Sequence, residues 1–134
     1  MRFKANRIGQ IALSVSDVDV AETFYKTALG LRHLYRVDDL TFFDCCGVRL
    51  MIEKGRTAED IRSASPIYFQ CPDIALAVRD LERRGVSFNS RPHLIARLDD
   101  HDLWMAFFED PDGHVLALMQ EAPKDYAPPA GGAG

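Results

Sequence analysis

Hydrophobic and polar residues alternate near the start of the chain in a way that predicts a strand followed by a helix. Ile11, Leu13 and Val15 share one face of the predicted strand, while small or polar residues take the other face. From Val18 to Leu29 the apolar residues recur every three or four positions, which is typical of a helix with one buried side. Three further strands are then predicted, at 32–37, 41–46 and 48–53.

The second half of the chain repeats this pattern. Ile67 matches Ile11, and Asp73, like Asp17, stands directly before a helical stripe. Each aspartate is predicted to cap the free N–H groups of its helix, and each helix is predicted to end at a glycine, Gly30 or Gly85. Three more strands follow, at 86–90, 103–109 and 114–119. Two copies of one βαβββ module are therefore predicted.

The modules, at about 8–54 and 66–120, predict a single α+β domain over residues 1–121. Their strands are expected to form a curved mixed sheet around a cavity, with the helices outside. The last residues, 122–134, are mainly Pro, Ala and Gly and are predicted to form a disordered tail.

Composition narrows the choice of partners. The chain has 134 residues and a net charge of −4, and it has no extended cluster of Lys and Arg, so nucleic acid and anionic membranes are not expected partners. It has no apolar run long enough to span a membrane. The chain has three cysteines, an odd number that does not favour a disulfide framework and fits a reducing cytoplasm. The adjacent Cys45 and Cys46 are either a redox pair or small buried hydrophobic residues. The sequence contains no Ser-His-Asp order of a catalytic triad, no glycine-rich phosphate-binding loop and no dinucleotide-binding fingerprint.

The stretch FFEDPDGHVLALM, residues 107–119, predicts two apolar strands joined by a Pro-Asp-Gly turn. Together with the repeated module, this hairpin resembles the vicinal oxygen chelate superfamily, which includes glyoxalase I, extradiol dioxygenases and bleomycin-binding proteins. The resemblance covers residues 8–120. It implies a fold that hosts several chemistries, so function depends on the site residues. It also implies a homodimer.

Members of this superfamily that use a metal hold one divalent ion with side chains from the first and last strands of each module. The resemblance places those four ligands at Gln10, Met51, Pro66 and Ala117. Only Gln10 offers a possible ligand atom for a divalent ion, its amide oxygen. We therefore predict a degenerate metal site and no metal cofactor, unless other side chains have taken over as ligands.

The main functional hypothesis is a binding protein for a small organic molecule, similar to the bleomycin-binding members. Strand alternation predicts which side chains face the cavity. The predicted ligand-binding residues are Gln10, Ser14, Met51, Tyr68, Gln70 and Trp104.

The alternative is a lyase or isomerase that resembles glyoxalase I but uses relocated groups. Glu53 shares the predicted cavity face with Met51, and His93 follows Pro92 near an apolar run, so either could be the catalytic base. A structural role for His93 is the competing interpretation. The run 99–102 is predicted to be a hairpin tip rather than a metal site. A third hypothesis, a structural or regulatory partner domain, has no charged arm or apolar heptad to support it.

Overall fold

The fold consists of two compact units, the first ending at Ala64 and the second beginning at Ser65. The structure, a computed structural model, describes residues 3–62 and 64–127. Each unit contains one four-stranded mixed sheet with few helices, so the predicted α+β class is confirmed. Within those residues, no helix has the length and apolar character needed to cross a membrane.

In the first unit a strand and a helical segment precede three consecutive strands. The elements are β1 Gln10–Val15, α1 Val18–Thr23, a π-helical turn Phe24–Ala28, β2 Arg32–Val37, β3 Leu40–Cys45, β4 Val48–Lys54 and the short helix α2 Ala58–Arg62. The sheet order is β1-β4-β3-β2, with β1 parallel to β4 and the other neighbours antiparallel. All strands predicted for this half are confirmed, because their ends differ from the prediction by at most one residue. We call this sheet the first sheet.

The second unit repeats this topology. Its elements are β5 Ile67–Gln70, α3 Ile74–Arg83, β6 His93–Arg97, β7 Asp102–Glu109 and β8 Val115–Ala122. The order is β5-β8-β7-β6, again with the first strand parallel to the last one in the chain. The βαβββ order predicted for both halves is thus confirmed. We call this sheet the second sheet.

One predicted strand, 86–90, is wrong. Only Phe88 pairs there, in an isolated bridge to Phe108, and the strand of the sheet is instead β6. Pro92 lies between this bridge and β6, and proline has no N–H to donate to a strand ladder. Regular pairing therefore begins only at His93.

Both main helices begin directly after the predicted aspartates, and the helical segments, including the π-helical turn of the first, end two residues before the predicted glycines. The carboxylate of Asp17 accepts a hydrogen bond from a first-turn N–H at 3.1 Å, and that of Asp73 does the same at 3.2 Å. These bonds satisfy N–H groups that have no partner inside the helix. The chain leaves the helices through Gly30 and Gly85, which have φ values of 74° and 92°. Glycine adopts this left-handed conformation without the steric cost of a side chain.

Each sheet buries the face that its own helix covers. The fully buried apolar side chains there include Val15, Phe43 and Ile52 in the first unit and Val78, Phe108 and Leu116 in the second. Burying one such side chain stabilises a fold by roughly 1.5–3 kcal/mol. Because strand side chains alternate, the remaining residues of each strand point to the opposite side, which we call the open face of the sheet.

The segment predicted to be a disordered tail, 122–134, lies only partly within the described residues, since 128–134 fall outside them. Before that point the chain contacts the second unit. Lys124 lies 3.2 Å from the carboxylate of Asp102, and the ring of Tyr126 packs edge-on against an aromatic ring of β7. The domain boundary at residue 121 and the disorder beyond the described residues stay predictions.

Candidate ligand-binding faces of the two sheets

Neighbouring strands β1 and β4 bring four of the predicted site residues together on the open face of the first sheet. The register pairs Ser14 with Glu53, and it places Gln10 and Met51 on the same side. The Gln10 amide donates a weak hydrogen bond from Nε2 to Met51 Sδ at 3.7 Å. Polar groups therefore dominate this part of the open face.

An aromatic pair occupies the other half of the same face. The rings of Tyr35 and Phe42 stack with their centroids 4.6 Å apart. The guanidinium carbon of Arg49 lies 6.0 Å from the Phe42 centroid, within the range of a cation–π contact. This pair lies on β2 and β3, and Phe42 is the direct cross-strand neighbour of Met51 on β4.

On the open face of the second sheet, aromatic side chains cross the strands in a continuous line. Ala117 on β8 pairs with Tyr68 on one side and with Phe107 on the other. The rings of Tyr68 and Phe107 meet edge to face at 6.3 Å, and the His93 ring lies 5.9 Å from that of Phe107. We call Tyr68, Phe107 and His93 the aromatic row. The small side chain of Ala117 leaves space for the larger rings on either side of it.

Two methionines and one amide flank the aromatic row. Met105 pairs with Met119 across β7 and β8, and Met105 also faces His93. Gln70 pairs with Met119 and is exposed. Thioethers adapt to irregular apolar surfaces, and an exposed amide can both donate and accept hydrogen bonds. The face is therefore apolar with polar groups at its edge.

A backbone contact determines which ring nitrogen of neutral His93 carries the proton. Its Nδ1 lies 3.2 Å from the backbone carbonyl oxygen of Arg91. Because a carbonyl oxygen only accepts, Nδ1 carries the proton and Nε2 is left as an acceptor. His93 is exposed, so this nitrogen could accept a hydrogen bond or a proton from a bound molecule.

Trp104 does not lie where the sequence analysis placed it. It pairs with Gln120, whose side-chain oxygen accepts a hydrogen bond from the Ile74 N–H at 2.8 Å at the start of α3. Trp104 is therefore on the helix-covered face of the second sheet. Phe107 stands three positions further along β7 and so points to the opposite face. Trp104 and Phe108 share one face of β7 and Phe107 takes the other, so only the burial of Phe108 shows which face is open.

The predicted hairpin tip at 99–102 joins β6 to β7, with a hydrogen bond from the Leu98 N–H to the His101 carbonyl at 2.9 Å. Asp102 at its end is buried and lies 3.1 Å from Arg97 Nη1. Asp102 is thus paired with Arg97, as expected for a hairpin tip.

A family model for the Glyoxalase/Bleomycin resistance protein/Dioxygenase superfamily matches residues 7–118, which include nearly all of both sheets. The chain belongs to this superfamily. No curated protein matches the chain.

Several solved structures share this fold. An integron cassette protein from the mobile metagenome of V. cholerae has a TM-score of 0.75 at 16% identity, over 91% of this chain and 100% of that one. A lactoylglutathione lyase from Agrobacterium tumefaciens has a TM-score of 0.71 at 18% identity, over 87% and 95%. An antibiotic-binding protein from a Streptomyces species has a TM-score of 0.70 at 18% identity, over 90% and 100%. Identities this low establish the fold alone.

The four positions at which the superfamily resemblance places metal ligands do not fit a hard divalent ion. Gln10 contributes an amide and Met51 a thioether, whereas Pro66 and Ala117 contribute no ligand atom. Ala117 is also fully buried. In the described part of the chain, no group of three or more His, Cys, Asp or Glu side chains is placed to hold a metal ion.

Proposed function

We propose that this superfamily member binds a small, planar organic molecule on the open face of the second sheet. The aromatic row carries this proposal, because Tyr68 and Phe107 flank Ala117, the position at which metal-dependent relatives place a carboxylate. Replacing a charged ligand by alanine between two rings converts a metal-binding position into an apolar one. The antibiotic-binding protein from Streptomyces is an example of this fold in a binding role.

The exposed part of the row suits a flat ligand. Tyr68 keeps 47% of its surface accessible, so its ring is available to a ligand. A ring that stacks on Tyr68 or Phe107 would add about 0.5–1.5 kcal/mol beyond the area that it buries. Met105 and Met119 would adjust to the outline of the ligand.

Polar groups beside the row would orient the ligand. The amide of Gln70 and Nε2 of His93 stand on β5 and β6, on either side of the apolar centre. A ligand with a hydroxyl or N–H group would donate to His93, and a carbonyl group would accept from Gln70. That Gln10, Ser14 and Met51 also contact the ligand stays a prediction.

A matched pair of tyrosines tests this proposal. The probe is the planar dye 8-anilinonaphthalene-1-sulfonate, and its binding to the native protein is followed by fluorescence titration. We expect Tyr68→Ala to weaken dye binding about tenfold, since that corresponds to the loss of one ring contact. Tyr35→Ala is the control, because Tyr35 is similarly exposed and also packs on a phenylalanine, but on the first sheet. An equal loss in both variants, or no loss in either, would reject the second sheet as the site.

The enzymatic alternative, a lyase or isomerase, rests on Glu53 and His93. Glu53 is half-buried on the open face of the first sheet, and His93 has a free acceptor nitrogen. A base at either position would have to lie within hydrogen-bond reach of the proton that it removes. Once a turnover assay exists, the variant that removes the base, Glu53→Gln or His93→Asn, should abolish activity, and Glu53→Gln should leave dye binding unchanged. Full turnover in both variants would reject this alternative. The homodimer and the cytoplasmic location likewise stay predictions.

A further inference from the structure

A second concave site lies within the second unit, away from its open face. It is a cleft of about 260 Å³ between α3 and the segment that precedes β6. Its lining consists of Val78, Glu82, Phe88, Asn89, Ser90 and Arg91. Drug-sized ligands occupy pockets of roughly 300–1,000 Å³, so this cleft matches a smaller molecule.

The floor of the cleft is apolar and well fixed. Val78 is fully buried on α3, and the Phe88 ring packs against that of Phe108 with the centroids 5.0 Å apart. The Asn89 N–H donates to the Phe107 carbonyl at 2.8 Å, which ties the far wall to β7. The shape of the cleft thus depends on the core of the second unit.

Two opposite charges line the cleft without pairing to each other. Among the described residues, neither Glu82 nor Arg91 has an ion-pair partner within 4.0 Å. The neighbouring arginines at the end of α3, Arg83 and Arg84, both pair with Asp80 instead. The two charges of the cleft are therefore separate and available.

Glu82 is also badly placed for helix stability. It stands in the last turn of α3, where the helix dipole is negative and disfavours a carboxylate. Glu82 lies one turn from Val78, so both project from the same side of the helix toward the cleft. Glu82 therefore gains nothing from the helix dipole, and it lines the cleft.

From this arrangement we propose that the cleft binds a small zwitterion with an apolar side chain, an α-amino acid being the simplest member of that class. Its ammonium group would pair with Glu82 and its carboxylate with Arg91. Its side chain would rest on the Phe88 ring, which is only partly buried, while the side chains of Asn89 and Ser90 offer further hydrogen bonds. The site is independent of the aromatic row, so either proposal can fail without the other.

The test uses the full-length, isotope-labelled protein and follows the backbone amide signals of Asn89 and Ser90 by NMR. The probes are L-leucine, 4-methylpentanoate, which lacks the ammonium group, and 3-methylbutylamine, which lacks the carboxylate. We expect leucine to shift these signals in a saturable way, and each singly charged analogue to bind at least about tenfold more weakly.

Matched variants separate the proposed site from binding elsewhere. Glu82→Gln and Arg91→Gln should each weaken leucine binding about tenfold, because each removes one charge-assisted contact. Arg79→Gln is the control, since Arg79 is exposed on α3 but does not line the cleft. The amide spectrum of each variant reports directly whether it is folded. The proposal is overturned if leucine shifts no cleft signal, if all three probes bind alike, or if the cleft variants bind as the native protein does.

Discussion

The first sheet presents Gln10, Ser14 and Glu53 on the open face of β1 and β4, whereas the second presents Tyr68 and Gln70 around Ala117 on the corresponding β5 and β8. The strand order and the helix-covered cores are the same in both units. The buried side chains of the covered faces therefore supply most of the folding stability, whereas the side chains of the open faces can differ between the two units. This separation explains how one fold can carry different chemistries on its open faces.

The largest expected effect comes from emptying a covered face. Phe43→Ala and Phe108→Ala each remove a fully buried ring, and each should lower the free energy of unfolding by about 3–5 kcal/mol. Phe107→Ala, next in the chain but on the open face, should cost only about 1–2 kcal/mol because its ring is partly exposed. Urea denaturation measures all three. A loss for Phe107→Ala as large as for Phe108→Ala would mean that the open face also carries the fold.

An intermediate effect is expected when a carboxylate is placed at corresponding ligand positions of the two units. Ala117→Glu would bury a charge between two rings and should destabilise the protein by about 3 kcal/mol. Met51→Glu would enter a partly exposed, polar part of the first sheet and should cost less than about 1 kcal/mol. Thermal denaturation of both variants provides the measurement. Equal costs would contradict the difference that we infer between the two open faces.

The smallest effect concerns a polar contact on the covered face of the first sheet. Glu22 accepts a hydrogen bond from the Thr41 hydroxyl at 2.7 Å and lies 3.3 Å from His33 Nε2. The Thr41 bond is the main reason why the pKa of Glu22 is held below its ordinary value of 4.5. A lowered pKa means that the ionised group stabilises the fold above the ordinary value, and that this stability is lost as the pH falls through the folded value.

Glu22→Gln should therefore cost about 1 kcal/mol near neutral pH and progressively less in acid. Unfolding free energies measured over a series of pH values, for the native protein and the variant, provide the check. Thr41→Val is the control for the hydrogen bond itself, and it should flatten the acid limb in the same way. Parallel pH profiles for the native protein and the Glu22 variant would show that this contact contributes nothing to the pH dependence.

Much of the architecture was predictable from short-range signals. The aspartates before each helix and the glycines after it act through local hydrogen bonds and backbone sterics, so their positions along the chain suffice. The strands of the first unit were equally clear, because alternation and turn residues agreed. The segment 86–90 was misjudged since its apolar residues are held by one bridge and by burial, not by a continuous ladder.

The side chains that meet on the open faces could not all be predicted from the sequence. Alternation predicts Gln10, Met51 and Tyr68 on the open faces, and the strand register puts them there. On β7 aromatic residues lie on both faces, so alternation alone does not decide between Trp104 and Phe107. The contact of Tyr68 with Phe107 joins strands far apart in the chain, so it depends on which strands become neighbours.

The sequence by itself determined the module, its repetition and the superfamily, because these follow from residue types and spacings. Only the tertiary structure decided which rings meet across Ala117, and that Glu82 and Arg91 line one cleft. Both arrangements depend on distances between segments that meet only when the chain folds. A local sequence pattern therefore cannot predict them.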